Sequence, residues 1–279
     1  MLMVERGVHP LSTPAPRPHL LARARHGVER DGWLAALKEA ATRPLRPGLA
    51  PVAAFRLRRR ARGVVGIDPL LDLAFDFEAF GITIRPRQVR DEFRQLLIEV
   101  SRVRPRNMVE IGTASGGSLF AFAGVCAPDA RIISVDLPHG HFGGGYPPWR
   151  IPIYRSFARA RQRLELVRGD SHDPTTRAQV RILLEQEPID FLFIDGDHTY
   201  DGVRADFEAY TPLVRRGGLI AFHDIAPPRD PHAALRDGNE YLVGEVPRFW
   251  EELKSRRGSA REFIDPTGRG CFGIGLIRA

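Results

Sequence analysis

IDFLFIDGDHTYDGVRADFEAYTPLV (189–214) decides the fold. Its first part, IDFLFID (189–195), is short and apolar on both faces, as a strand covered from both sides must be. Its last part, VRADFEAYTPLV (203–214), places apolar residues at helical spacing. Between them stand Asp195, Asp197 and His198. A buried strand thus runs directly into two carboxylates and an imidazole.

The same strand-then-helix unit recurs on either side. NMVEIG (107–112) leads into a helix containing LFAFAGV, and RIISVD (131–136) into a Gly/Pro-rich loop, GHFGGGYPPW (140–149). After that loop a helix is expected over YRSFARARQRL (154–164). LELVRGD (164–170) precedes the helical TTRAQVRILLEQ, and GLIAFHD (218–224) closes the alternation. A helix over EVPRFWEELKSR (245–256) is followed by two strand-like pieces, REFID (261–265) and CFGIGLIR (271–278). Alternating units of this kind predict an α/β fold: a Rossmann-like, doubly wound, mostly parallel seven-stranded sheet with an antiparallel last strand. Upstream, RPRQVRDEFRQLLIEVSRV (85–103) has helical periodicity, PLRPGLAP (44–51) reads as a linker, and 19–41 is helix-compatible after a Pro-rich 1–18. The domain division expected is a helical, basic N-terminal extension over 1–79 and an α/β domain over 80–279.

Open sheets of this type bind ligands at the carboxyl ends of their strands. Those ends carry Glu110, Gly112, Asp136, Asp170, Asp195, His223 and Asp224. EIGTASGGS (110–118) is a glycine-rich strand-to-helix turn, in which Gly112 serves the tight turn and Gly116 and Gly117 allow close approach to the backbone. Asp136 lies 19 residues beyond Gly117, where a carboxylate can accept hydrogen bonds from ribose hydroxyls. Glu110 would repel a pyrophosphate but suits a cationic, phosphate-free ligand, which favours S-adenosylmethionine over a nicotinamide dinucleotide.

The net charge of +7 is unevenly placed. Residues 1–62 hold 13 Arg/Lys against Glu5, Glu29, Asp31 and Glu39, a surplus of +9 that leaves −2 for the remaining 217 residues. The surplus peaks in FRLRRRARG (55–63), a segment suited to a solvated or oligomer-forming arm, or to peripheral contact with an anionic membrane surface. A near-neutral body without an aromatic-basic platform argues against nucleic acid as partner and against an RNA methyltransferase. Cys126 and Cys271 have no metal-binding spacing and read as small buried side chains of a reducing compartment. With no apolar run of membrane-crossing length and no signal-like start, a cytoplasmic location is expected.

EIGTASGGSL, SVDLP, GDSHDP, FIDGDHTYDGVRADFEAYTPLVRRGGLIAFHDI and VPRFWEEL, in this order over roughly 80–279, resemble a class I S-adenosylmethionine-dependent methyltransferase. The likeness is to the branch of cephalosporin-hydroxylase-like proteins and metal-dependent sugar O-methyltransferases. It implies a methyl transfer from S-adenosylmethionine to a hydroxyl of a sugar or glycosylated small metabolite. Carried over by position, Glu110, Gly112, Thr113, Ser115, Gly116 and Gly117 lie under the amino-acid end of the cofactor, Asp136 meets the ribose, and Asp170 with Ser171 meets the adenine. Asp195, which also borders the cofactor, joins His223 and Asp224 as ligands of Mg²⁺ or Mn²⁺, and His198 is the general base. His223 departs from the family, which commonly has an acid there; an imidazole tolerates Mn²⁺ or a borderline metal better and makes loss of the metal an alternative. A non-catalytic S-adenosylmethionine-binding partner of another enzyme is the rival from a different class. The hydroxylase name finds no HxD iron site here. A homo-oligomer is expected.

Plainer readings stand beside these. Asp195 and Asp173 suit helix caps, Asp197 is a further ligand or orients its loop, and His198 can be a satisfied surface histidine. His139, His141 and His172 read as loop hydrogen-bonding residues, Tyr146 and Trp149 as an acceptor cover or an apolar plug, and Trp250 as core.

Overall fold

The computed structural model describes residues 42–138, 145–226, 244–257, 259–266 and 272–279. The helix expected over 19–41, the Pro-rich 1–18, His139, His141 and Cys271 lie outside them. Two compact units divide at Leu45/Arg46. Of the first, the described residues form a 3₁₀ turn, Arg43–Leu45.

The second unit is a seven-stranded sheet with helices on both faces. Strands β3 (Asn107–Ile111), β4 (Arg131–Asp136), β5 (Arg163–Arg168), β6 (Ile189–Ile194) and β7 (Val214–His223) run parallel in the order β5-β4-β3-β6-β7. β9 (Ile274–Arg278) pairs antiparallel with β7 and with β8 (Arg261–Phe263) at the edge. The order reverses at β3, so the crevice beside its carboxyl end is the topological switch point.

Alternation along the strands makes two cores. Met108, Phe191, Phe193, Leu219 and Ala221 face one helical layer: α1 (Arg46–Ala61), α2 (Ile67–Asp76), α3 (Arg90–Val103) and α4 (Gly117–Val125). Val109, Ile111, Leu192, Ile194, Ile220 and Phe222 face the other: α6 (Pro174–Leu183), α7 (Tyr200–Tyr210) and α8 (Val246–Arg256). Trp250 is fully buried in that second core, as its reading required. Between α2 and α3 lies a two-stranded hairpin, β1 (Glu78–Ala79) with β2 (Ile82–Thr83). Among the described residues no helix is long and apolar enough to cross a membrane.

Three local expectations are corrected. The 44–51 stretch is not a linker, because α1 begins at Arg46; Pro47 sits in the first turn, where a missing N–H costs nothing, and Ala50, Ala53 and Leu57 bury the helix. The helix expected over 154–164 is instead α5 (Ile151–Arg155), started by Pro152. Past its end, Ala160 takes a left-handed φ of 47° and the Gln162 side chain accepts from Arg159 N–H, so the chain does not resume a helix before β5. Finally, α7 is capped by Thr199, whose Oγ1 accepts from Gly202 N–H at 3.0 Å, and not by Asp195. That releases Asp195 for the site. Asp173 does cap α6, through Thr175 N–H at 2.8 Å.

Candidate active site

The turn after β3 is held by backbone. Gly112 N–H donates to Val135 C=O and Asp195 N–H to Ile111 C=O, both at 2.8 Å. Gly112 has φ 89°, and a Cβ there would overlap the Asp195 carbonyl oxygen, so glycine is required for the β3 and β6 ends to meet. At Gly117 a Cβ would overlap Ile84 C=O and Pro86 N; the room that this glycine frees is filled by the 84–86 segment.

Asp136 anchors the turn. Its Oδ2 accepts from Thr113 N–H at 3.2 Å and Ala114 N–H at 3.1 Å, and its Oδ1 from Gly145 N–H at 2.8 Å. Burial pushes its carboxyl up, opposed by these three bonds. Ala114 is thereby kept at a left-handed φ of 44°, costly for a non-glycine residue. Tyr154 Oη–H donates to Ala114 C=O at 2.6 Å and Arg150 to Ser115 C=O at 3.1 Å, a support from α5 and the turn before it that no local sequence pattern announced. Glu110 is fully buried; burial, with Asp195 and Asp136 nearby, raises its carboxyl well above the usual range, while Ser118 and Thr113 pull the other way.

Beside the turn four side chains converge. Asp195 follows β6, His198 precedes α7, and His223 and Asp224 end β7. His223 Nδ1 stands 3.1 Å from Asp195 Oδ1 and 3.2 Å from Asp224 Oδ2. His198 approaches the same carboxylates, Nδ1 at 3.3 Å from Asp224 Oδ2 and Nε2 at 3.6 Å from Asp195 Oδ1. Burial alone would depress His223, but Asp224 and Asp195 outweigh it and hold the imidazolium well above the usual histidine range. Burial likewise pushes Asp195 up, and the two imidazoles, His223 foremost, bring it far below the usual carboxylate range. Asp224 has a left-handed φ of 62°, strain of the kind that collects at functional sites.

This set fits a divalent cation. Asp195, His198 and Asp224 offer one ligand atom each within 4.8 Å of one another, and Asp224 Oδ1 is buried with no hydrogen-bond partner among the described residues. Two carboxylates and an imidazole are suitable donors for Mg²⁺ or, better, Mn²⁺. His223 Nε2 is likewise buried without a partner, under a ring stack from Phe272 at 5.6 Å between centroids.

The remaining expected residues sit around this pair of features. Asp170 is half-exposed and accepts from His172 N–H at 2.9 Å, ahead of Ser171. Asp197 turns its Oδ1 to Thr199 N–H at 2.9 Å and so orients the loop. His172 does more than its loop reading allowed: its Nε2 is 3.3 Å from buried Asp206, which raises its pKa to about 9. Tyr146 is buried against Tyr154, as a plug would be. Gln88 was not anticipated; its Nε2–H donates to Asp195 Oδ2 at 2.8 Å across 107 residues of sequence.

A switch-point crevice, a glycine-rich turn with its acidic anchor and an antiparallel terminal strand make up a Rossmann-like methyltransferase fold. The family model described as "Methyltransferase domain" matches residues 109–225. The chain is 33% identical over 163 residues, 57% of its length, to the uncharacterized protein y4gI of Sinorhizobium fredii (strain NBRC 101917 / NGR234), of which it covers 16%. It is 28% identical over 133 residues, 47% of its length, to the tapetum-specific methyltransferase 1 of Arabidopsis thaliana, of which it covers 52%. The chain thus spans about half the length of these curated relatives or less. Among solved structures, the O-methyltransferase from Bacillus cereus in complex with SAH shares the fold, with a TM-score of 0.52 at 22% identity over 79% of this chain and 96% of that one.

Proposed function

We propose that the protein is an O-methyltransferase that moves the methyl group of S-adenosylmethionine to a hydroxyl of a sugar or glycosylated small metabolite, aided by a divalent cation. The observation that supports this most is the meeting of Asp195, His198, His223 and Asp224 at the strand ends, next to the glycine-rich turn that Asp136 anchors. The cofactor supplies an electrophilic methyl on a sulfonium. When bound, a divalent cation supplies Lewis-acid stabilisation of negative charge on the acceptor oxygen.

The chain's own residues do the rest. Glu110 and the 110–117 turn take the amino-acid end of the cofactor, Asp136 the ribose side, and Asp170 with Ser171 the adenine side. Asp195 and Asp224 hold the cation, and His223 keeps their two carboxylates together through Nδ1. A hydroxyl becomes a competent nucleophile once its proton is taken, and an imidazole, with a reference pKa of about 6.5, can take it near neutrality. His198, with Nδ1 3.3 Å from Asp224 and Nε2 3.6 Å from Asp195, is the base in this reading; the methyl then transfers in line, so positioning dominates.

The test is a methyl-transfer screen with labelled cofactor across glycosylated metabolites, with and without a chelator. Label should enter an O-methylated sugar and depend on added Mg²⁺ or Mn²⁺. Chelator-insensitive transfer would remove the cation from this reading, and transfer to nitrogen or to RNA alone would remove the acceptor class.

A further inference from the structure

Gln88 is the polar side chain that ties the cluster to the rest of the crevice. It is only 4% exposed, and its NH₂ group donates to Asp195 Oδ2 while Asp195 Oδ1 faces His223 and His198. We propose that Gln88 is a positioning residue of the cation site: by holding Asp195 through one oxygen, it presents the other to a bound divalent cation. The proposal rests on the cation-assisted reading above.

The amide orientation follows from chemistry. An ionised carboxylate can only accept, so the NH₂ group must face Asp195 and the carbonyl must point away. That carbonyl, Gln88 Oε1, is buried and has no partner among the described residues. A side chain kept for packing alone would be better as leucine or methionine, which fill similar volume without burying an unmet acceptor. The polar group is therefore retained for what its donor does to Asp195.

The backbone that carries Gln88 is pinned in turn. Ser115 Oγ–H donates to Arg85 C=O at 2.5 Å, and the Ile84–Pro86 stretch lies against Gly117 closely enough that no Cβ would fit. Val89 then starts α3 in an extended conformation. Gln88 so forms a short strut from the glycine-rich turn to the first carboxylate of the cluster. Partners that orient metal-binding side chains in this way typically contribute about 10- to 100-fold in metal affinity.

The experiment is Mn²⁺ titration, by paramagnetic resonance of the free ion and by calorimetry, of wild type and Gln88→Leu. S-adenosylhomocysteine affinity and melting temperature, both measured without metal, serve as controls. The expected result is a loss of about 10- to 100-fold in Mn²⁺ affinity, with unchanged metal-free S-adenosylhomocysteine affinity and no fall in metal-free melting temperature. A role in packing alone would leave Mn²⁺ affinity as it was, with a melting temperature equal to or above that of wild type. Mn²⁺ affinity within threefold of wild type would overturn the proposal while leaving the cation reading intact. A wild type that binds no Mn²⁺ would remove both. If Gln88→Leu does not fold, Gln88→Met, unbranched and more adaptable, is read against the same outcomes.

Discussion

Asp136 and Asp224 each end a parallel strand, yet one carboxylate is fully answered and the other is not. Three backbone N–H groups bind Asp136, and its function is already visible in the shape of the turn it holds. Asp224 has one oxygen between two imidazoles and the other with no partner among the described residues. The turn after β3 is therefore preorganised by backbone hydrogen bonds, whereas the cluster at the β6 and β7 ends keeps a buried carboxylate oxygen that the proposed cation would satisfy.

The sharpest way to break this contrast is at the catalytic side. His198→Ala should keep Mn²⁺ and S-adenosylhomocysteine affinity yet lose about 10²–10⁴-fold in turnover, the usual range for a general base. Loss of Mn²⁺ affinity in the same variant would move His198 from base to ligand, which its place among the three grouped donors also permits. Asp195→Asn and Asp224→Asn should instead lose Mn²⁺ affinity and activity together, with activity partly restored by excess cation.

On the cofactor side the effect should be smaller. Asp136→Ala frees three N–H groups and removes a charged acceptor, so S-adenosylhomocysteine binding should weaken by about 1.5–3 kcal/mol in calorimetry. Mn²⁺ affinity should stay near that of wild type. Equal damage to both ligands would mean that the two sides are one mechanical unit.

Between them lies the His172–Asp206 pair, which sharpens the comparison through pH. Its hydrogen bond to Asp206 raises the His172 pKa from 6.5 to about 9, so its stabilising contribution is full below about pH 6.5 and is lost as pH rises through about 9. Melting temperature should fall over that window, and His172→Gln should flatten this part of the profile. Because the ring is partly exposed, the slope should be shallow. The smallest effect is expected from deleting residues 1–41, which should leave S-adenosylhomocysteine affinity unchanged by calorimetry while altering oligomeric state.

Much of the site was legible because its residues follow strands. Asp136, Asp195, His223 and Asp224 stand at the ends of apolar runs, and strand ends in an open parallel sheet meet in one crevice. Gln88, Tyr154 and Arg150 were not legible. They stand outside the strand pattern and act across long separations, 107 residues from Gln88 to Asp195 and 40 from Tyr154 to Ala114. The short α5 was misread for a related reason: alanine and arginine favour helix locally, but beyond Arg155 a left-handed Ala160 and the Arg159 N–H that donates to the Gln162 side chain hold the segment out of helix.

The sequence by itself determined the alternation of strands and helices from residue 107 onward, the parallel sheet and the residues at its carboxyl edge, because apolar periodicity and glycine placement are local properties. Which oxygen of each carboxylate is satisfied, and by what, was decided only by the tertiary structure. Thr199 takes the α7 cap and so releases Asp195, and Gln88 arrives from before α3 to bind it. His223 bridges Asp195 to its own neighbour Asp224. Hydrogen bonding in a buried site depends on distances of a few tenths of an ångström between segments far apart in the chain, and no pattern along one segment carries that information.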